Sequence, residues 1–99
     1  MFPGLTTKCS EEVASLTTTI TPKNDIYRVT STATTTVCTT IRPPYEGFSG
    51  VLLFVNDSGG NISLNTGGNI EVARTVPDNM LVPLVYSKLS GKWYPGAIS

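Results

Sequence analysis

Histidine is absent from this 99-residue chain. Its absence removes the Ser-His-Asp and Cys-His nucleophile constellations, the His-containing zinc sites and the commonest general base at neutral pH. Cys9 and Cys38, the only two cysteines, are too few to make a four-ligand zinc site by themselves. Paired carboxylates remain, because a glycosidase needs only two. Glu46, Asp57 and Asp78 each stand beside Gly, Pro or Asn in a predicted turn, and Glu71 takes the polar position of a short alternating strand; solvated acids account for all four. Aromatic side chains offer a different chemistry, since a ring face can stack on a pyranose. Tyr45, Phe48, Tyr86 and Tyr94 are the candidates, with Tyr45 and Phe48, at a Pro-rich loop, the best placed. Core capping or packing between subunits is the competing reading for each. No catalytic residue, metal ligand or cofactor site emerges.

The elements that must position these residues read as β throughout. Ile26-Tyr-Arg-Val-Thr-Ser31 alternates, with Tyr27 and Val29 on one face and Arg28 and Thr30 on the other. Thr34–Ile41 is built almost wholly of β-branched residues, and Gly50-Val-Leu-Leu-Phe-Val55 is a continuous apolar run. That run, apolar on both faces, suits a central strand with core on one side and a partner or loop on the other. Turn chemistry separates the strands at Thr21–Asp25, Arg42–Gly47 and Asn56–Gly60. A short repeat, Gly59-Gly-Asn-Ile-Ser-Leu64 and then Gly67-Gly-Asn-Ile-Glu-Val72, predicts two Gly-Gly-Asn turns, each followed by a short strand, the two strands being neighbours. These turns lack the Lys-Ser/Thr of a phosphate loop.

The chain closes on Met80-Leu-Val-Pro-Leu-Val-Tyr86, a polar turn through Gly91, and Lys92-Trp93-Tyr94. This predicts an antiparallel hairpin with Trp93, the only tryptophan, as core anchor. Pro83 removes one backbone donor from the first strand and predicts an edge or bulge there, where another subunit would meet this one. At the other end, Phe2 and Leu5 flank Pro3-Gly4 in an extended arm, suited either to docking on a neighbour or to remaining a disordered terminus, and Ser10–Leu16 is a lead-in whose Ser10 and acidic residues suit one helical turn. The expectation is therefore all-β: a single small antiparallel β-sandwich, jelly-roll-like or a short barrel, over residues 16–99, preceded by an arm and lead-in over 1–15.

Composition narrows the partners. Charged residues make up 14% of the chain with zero formal net charge, against roughly 25% charged in typical soluble domains. Nucleic acid is disfavoured, because phosphate neutralisation needs clustered cations and here Lys and Arg are scattered. A nearly uncharged polar surface suits copies that pack together. No window approaches the roughly 18 apolar residues of a membrane span, and the first residues lack the features of a signal peptide. Synthesis in the cytoplasm is expected, with both thiols reduced.

Residues 16–95 resemble a recurrent small β-sandwich domain of structural proteins of tailed bacteriophages. Ile20-Thr-Pro22, Ile26-Tyr-Arg-Val-Thr30, Thr40-Ile41, Gly50-Val-Leu-Leu-Phe54, Thr66-Gly-Gly-Asn-Ile70, Val85-Tyr86 and Lys92-Trp93-Tyr94 carry the likeness. Pro83 departs from it, interrupting a strand that is otherwise continuous. The resemblance implies a non-enzymatic virion protein: a capsid decoration or cement protein bound to the outer shell, or the globular part of a head fibre or tail appendage. It also implies a homotrimer and, as partner, the major capsid protein or another virion protein. Phe2, Leu5, Tyr45, Phe48 and Pro83 are the interface candidates; recognition of a host glycan through Tyr45 and Phe48 is the alternative.

Overall fold

The computed structural model describes Glu11–Ser99; Phe2, Leu5 and Cys9 lie outside the described residues. The described chain contains ten strands and no helix: β1 (Glu11–Ser15), β2 (Thr19–Ile20), β3 (Ile26–Ser31), β4 (Val37–Cys38), β5 (Thr40–Ile41), β6 (Gly50–Asn56), β7 (Ile62–Leu64), β8 (Arg74–Val76), β9 (Met80–Ser87) and β10 (Lys92–Pro95). Five form the main sheet in the order β1-β3-β6-β9-β10. The others form two small sheets, β2-β5 and β4-β7-β8.

The fold is all-β and layered, as its composition predicts, but the main sheet is mixed rather than antiparallel. β1, β3 and β6 run parallel, while β9 and β10 pair antiparallel. The connections supply the reason. Between β1 and β3 the chain contributes β2 to the second layer, and between β3 and β6 it contributes β4 and β5. Each excursion is a crossover, which permits the next strand to re-enter parallel to the last. The main sheet keeps two ends, β1 and β10, so it is not a closed barrel.

Side-chain alternation then builds the core. Tyr27, Val29, Leu52, Phe54, Val82, Leu84 and Trp93 point inward from the main sheet and are buried against Ile20, Cys38, Ile41, Ile62, Leu64 and Val76 of the small sheets. Tyr27 and Phe54, cross-strand partners, stack with centroids 6.2 Å apart. Asn56, the one buried polar residue among them, is fully employed: its amide donates to the carbonyls of Gly60 and Val76, and its Oδ1 accepts from the backbone and hydroxyl of Ser58.

Three local expectations change. Glu11–Ser15 is an edge strand rather than a helical turn of the lead-in, because pairing with β3 satisfies its backbone where an isolated turn leaves it to water. The repeat forms one strand, not two. Gly59 and Gly67 both adopt positive φ, as the turns require, and Ile62–Leu64 becomes β7. In the second copy only Ile70 makes a bridge, to Trp93, and Val72 is exposed. The neighbours of β7 are β4 and β8 instead.

The third concerns Pro83, which lies in a strand flanked on both sides, opposite Leu53 of β6. Its carbonyl accepts from Gly96 N at 2.8 Å, so its missing N–H faces the same side, just past the end of β10. There the register slips: Leu84 faces Pro95, yet Leu81 exchanges two hydrogen bonds with Ser99. One extra residue is accommodated opposite the proline, which is the bulge. The edge reading is overturned, because residues 96–99 of the same chain occupy that side.

Candidate functional site

The closing hairpin forms as predicted, Trp93 opposite Tyr86, with Gly91 at φ 69° ending the turn. Trp93 is buried and its Nε1–H donates to the Ile41 carbonyl at 2.8 Å. Asn69, from the second Gly-Gly-Asn turn, completes this knot: its Oδ1 accepts from Ile41 N at 2.8 Å and its amide donates to the same carbonyl at 2.6 Å. Its own carbonyl accepts from Trp93 N. An asparagine side chain thus pairs with β5 as a neighbouring strand would, which explains why this turn carries Asn without becoming a strand.

Phe48 belongs to the same cluster. Its ring covers Gly50, where a Cβ would come within 2.8 Å of it, and packs against Tyr86 and Trp93 at centroid distances of 6.0 and 6.1 Å. It caps the core at a glycine that leaves a gap in β6. Tyr45 meets Phe48 edge-on at 5.4 Å and is 63% exposed. Of the two rings proposed to stack on a sugar, only Tyr45 therefore offers a free surface. A cleft of about 40 Å³ lies beside them, between Pro22, Pro44, Phe48 and Trp93.

The carboxylates stay apart in role. Asp57 pairs with Arg28, Asp78 accepts from Gly59 N and from the Asn79 amide, and Glu46 and Glu71 are exposed. Glu12, read from the sequence only as an acid at a helix start, accepts from the backbone of Lys23 and Asn24 and so clamps the turn before β3. Among the described residues no three His, Cys, Asp or Glu side chains are grouped as metal ligands would be. Cys38 is buried, and desolvation pushes its thiol up to about 11, the opposite of an activated nucleophile.

What remains is a surface. The apolar residues facing away from the core on the main sheet include Ile26, Val51, Leu53, Val55, Leu81, Pro83, Val85 and Tyr94, brought side by side by the pairings Ile26↔Leu53↔Pro83, Val55↔Leu81 and Val51↔Val85↔Tyr94, while Val13 stands apart on β1 opposite Arg28. Val13 is 63% exposed, Val51 49% and Val85 48%. Glu11, Arg28 and Asp57 form an ion cluster at one corner, Arg28 bonded to both acids. The two-sided apolar run at Val51–Val55 signalled this face. Val13, lying in the segment taken as lead-in, was not legible as part of it.

Comparison of the chain with protein families, with curated proteins and with solved structures finds no match.

Proposed function

We propose that this chain is a non-enzymatic structural protein of a tailed-phage virion, a decoration or cement protein that binds the outer shell and stabilises it, or the equivalent module of a head fibre or tail appendage. The observation that carries the assembly part of this reading is the apolar outer face of the main sheet. A sandwich whose second face stood permanently in water would alternate apolar with polar residues, whereas the exposed row Val51–Val85–Tyr94, continued by Leu53, Pro83, Val55 and Leu81, marks a protein interface. The assignment to a virion is supported by the resemblance of residues 16–95 to phage sandwich domains. Its partner is the major capsid protein or another virion protein. Such a protein catalyses nothing; buried area at the junctions between capsomers raises the barrier to shell rupture. Mixing purified protein with capsids tests this: saturable co-sedimentation is expected, with shells lacking the protein bursting at lower stress. Protein that ignores shells, and virions equally robust without it, would refute the proposal.

A further inference from the structure

We infer that the outer face of the main sheet binds the same face of a second copy of this chain about a two-fold axis. The inference rests on reading that face as an assembly surface, and it names the partner. The face is self-complementary in charge. At one corner Glu11, Arg28 and Asp57, from β1, β3 and the end of β6, sum to one negative charge. At the diagonally opposite corner stands Lys92, opposite Ser87 and one outward row beyond the Val51–Val85–Tyr94 row; no carboxylate of the described residues pairs with it. A two-fold axis between two stacked faces, perpendicular to that diagonal, carries each Lys92 to the partner's acidic corner. The apolar residues between the corners then meet one another, as an isologous contact demands.

Net charge agrees, and size suits a reversible contact. The five strands total 30 residues, and at about 4.8 by about 3.3 Å each they cover about 480 Å² per copy, or about 950 Å² in total, the size of a weak, reversible interface. With seven cationic and seven anionic residues the chain carries no net charge to repel its copy. Pairing of this kind leaves the loops and the small sheets available to a shell.

Sedimentation equilibrium of the full chain across the micromolar range tests the pairing. A reversible dimer is expected. The double variant Val51→Glu with Val85→Lys makes the face polar while placing opposite charges directly across β6 and β9, so the fold is retained, as a circular dichroism melt would verify, and the dimer is lost. Lys92→Glu is expected to weaken association about fivefold, and adding Asp57→Lys to restore it. A monomer at every concentration, a trimer, or a dimer indifferent to Val51→Glu/Val85→Lys would overturn the inference. So would a dimer lost only on removing residues 1–10. A monomer that still saturates capsids would refute the pairing alone; a dimer that ignores capsids would refute the proposed function alone.

Discussion

Replacing Trp93 with phenylalanine tests the central knot. Phenylalanine preserves an aromatic ring against Phe48 and Tyr86, the latter with its centroid 4.9 Å away, but loses the Nε1–H bond to the Ile41 carbonyl. That carbonyl keeps its second donor, the Asn69 amide, so the loss is one hydrogen bond, about 1 kcal/mol, without an orphaned acceptor. The smaller ring leaves a void of about 40 Å³, a further loss of about 1 kcal/mol at about 24 cal/mol per Å³, and the removed apolar surface brings the total to about 2 to 3 kcal/mol. For a domain of this size the melting temperature falls by about 10 to 20 °C. The assay is urea or thermal unfolding followed by far-UV circular dichroism, since the fluorophore itself is removed. Asn69→Ala sharpens the test, because the double variant leaves the Ile41 carbonyl with neither side-chain donor. It is expected to cost about 1 to 2 kcal/mol more than the two single variants summed. A Trp93→Phe protein within about 0.5 kcal/mol of the parent, or simple additivity in the cycle, would refute the knot.

Gly68→Ala is expected to cost about 2 to 3 kcal/mol in urea unfolding, because a Cβ there would overlap the Thr39 carbonyl and the Thr40 hydroxyl, and the backbone oxygen has little freedom to yield; an unchanged midpoint would contradict the close approach. Phe48→Ala is expected to lower stability by about 2 kcal/mol and Tyr45→Ala by less than about 0.5, as a cap and an exposed ring should; the reverse order in thermal melts would reassign them. Cys38 is expected to resist iodoacetamide in the native state, and peptide mapping that finds it alkylated without unfolding would contradict its burial. Its thiol, raised from 9.0 to about 11 by desolvation, favours the folded state fully below about pH 9. Above that the unfolded chain ionises first, and about 2 kcal/mol is lost by about pH 11. Tyr27, also raised by burial, adds to the same loss. Urea midpoints measured from pH 8 to 11 should therefore fall less steeply in Cys38→Ala, and equal slopes would rule the thiol out.

Much of the fold was legible because burial follows alternation. Tyr27 and Val29 can be read directly from apolar residues at every second position, Trp93 as the lone tryptophan, and the hairpin from its flanking runs and Gly91. The choice of Val82 and Leu84 over Leu81 and Val85 as the inward face of β9 needed its neighbours, since that run is apolar on both faces. The strand at Glu11–Ser15 was hidden because two adjacent glutamates suit a helix start as well as an edge strand, and only β3 alongside decides between them. The repeat misled for a related reason. Identical Gly-Gly-Asn turns give similar local conformations, but the first is followed by partners on both sides of β7, and the second finds Ile41 and Trp93, which take up Asn69 and stop the ladder at one bridge.

By itself, then, the amino-acid order determined an all-β chain, several of its core residues, the closing hairpin and a surface with few charges and no histidine, because these depend on side-chain chemistry and period. Strand direction, the bulge opposite Pro83, the capping role of Phe48 and the continuity of the outer face from Ile26 to Tyr94 were decided only by tertiary structure. Each depends on which segment lies alongside which, and that is settled by how the crossovers pack through the second layer.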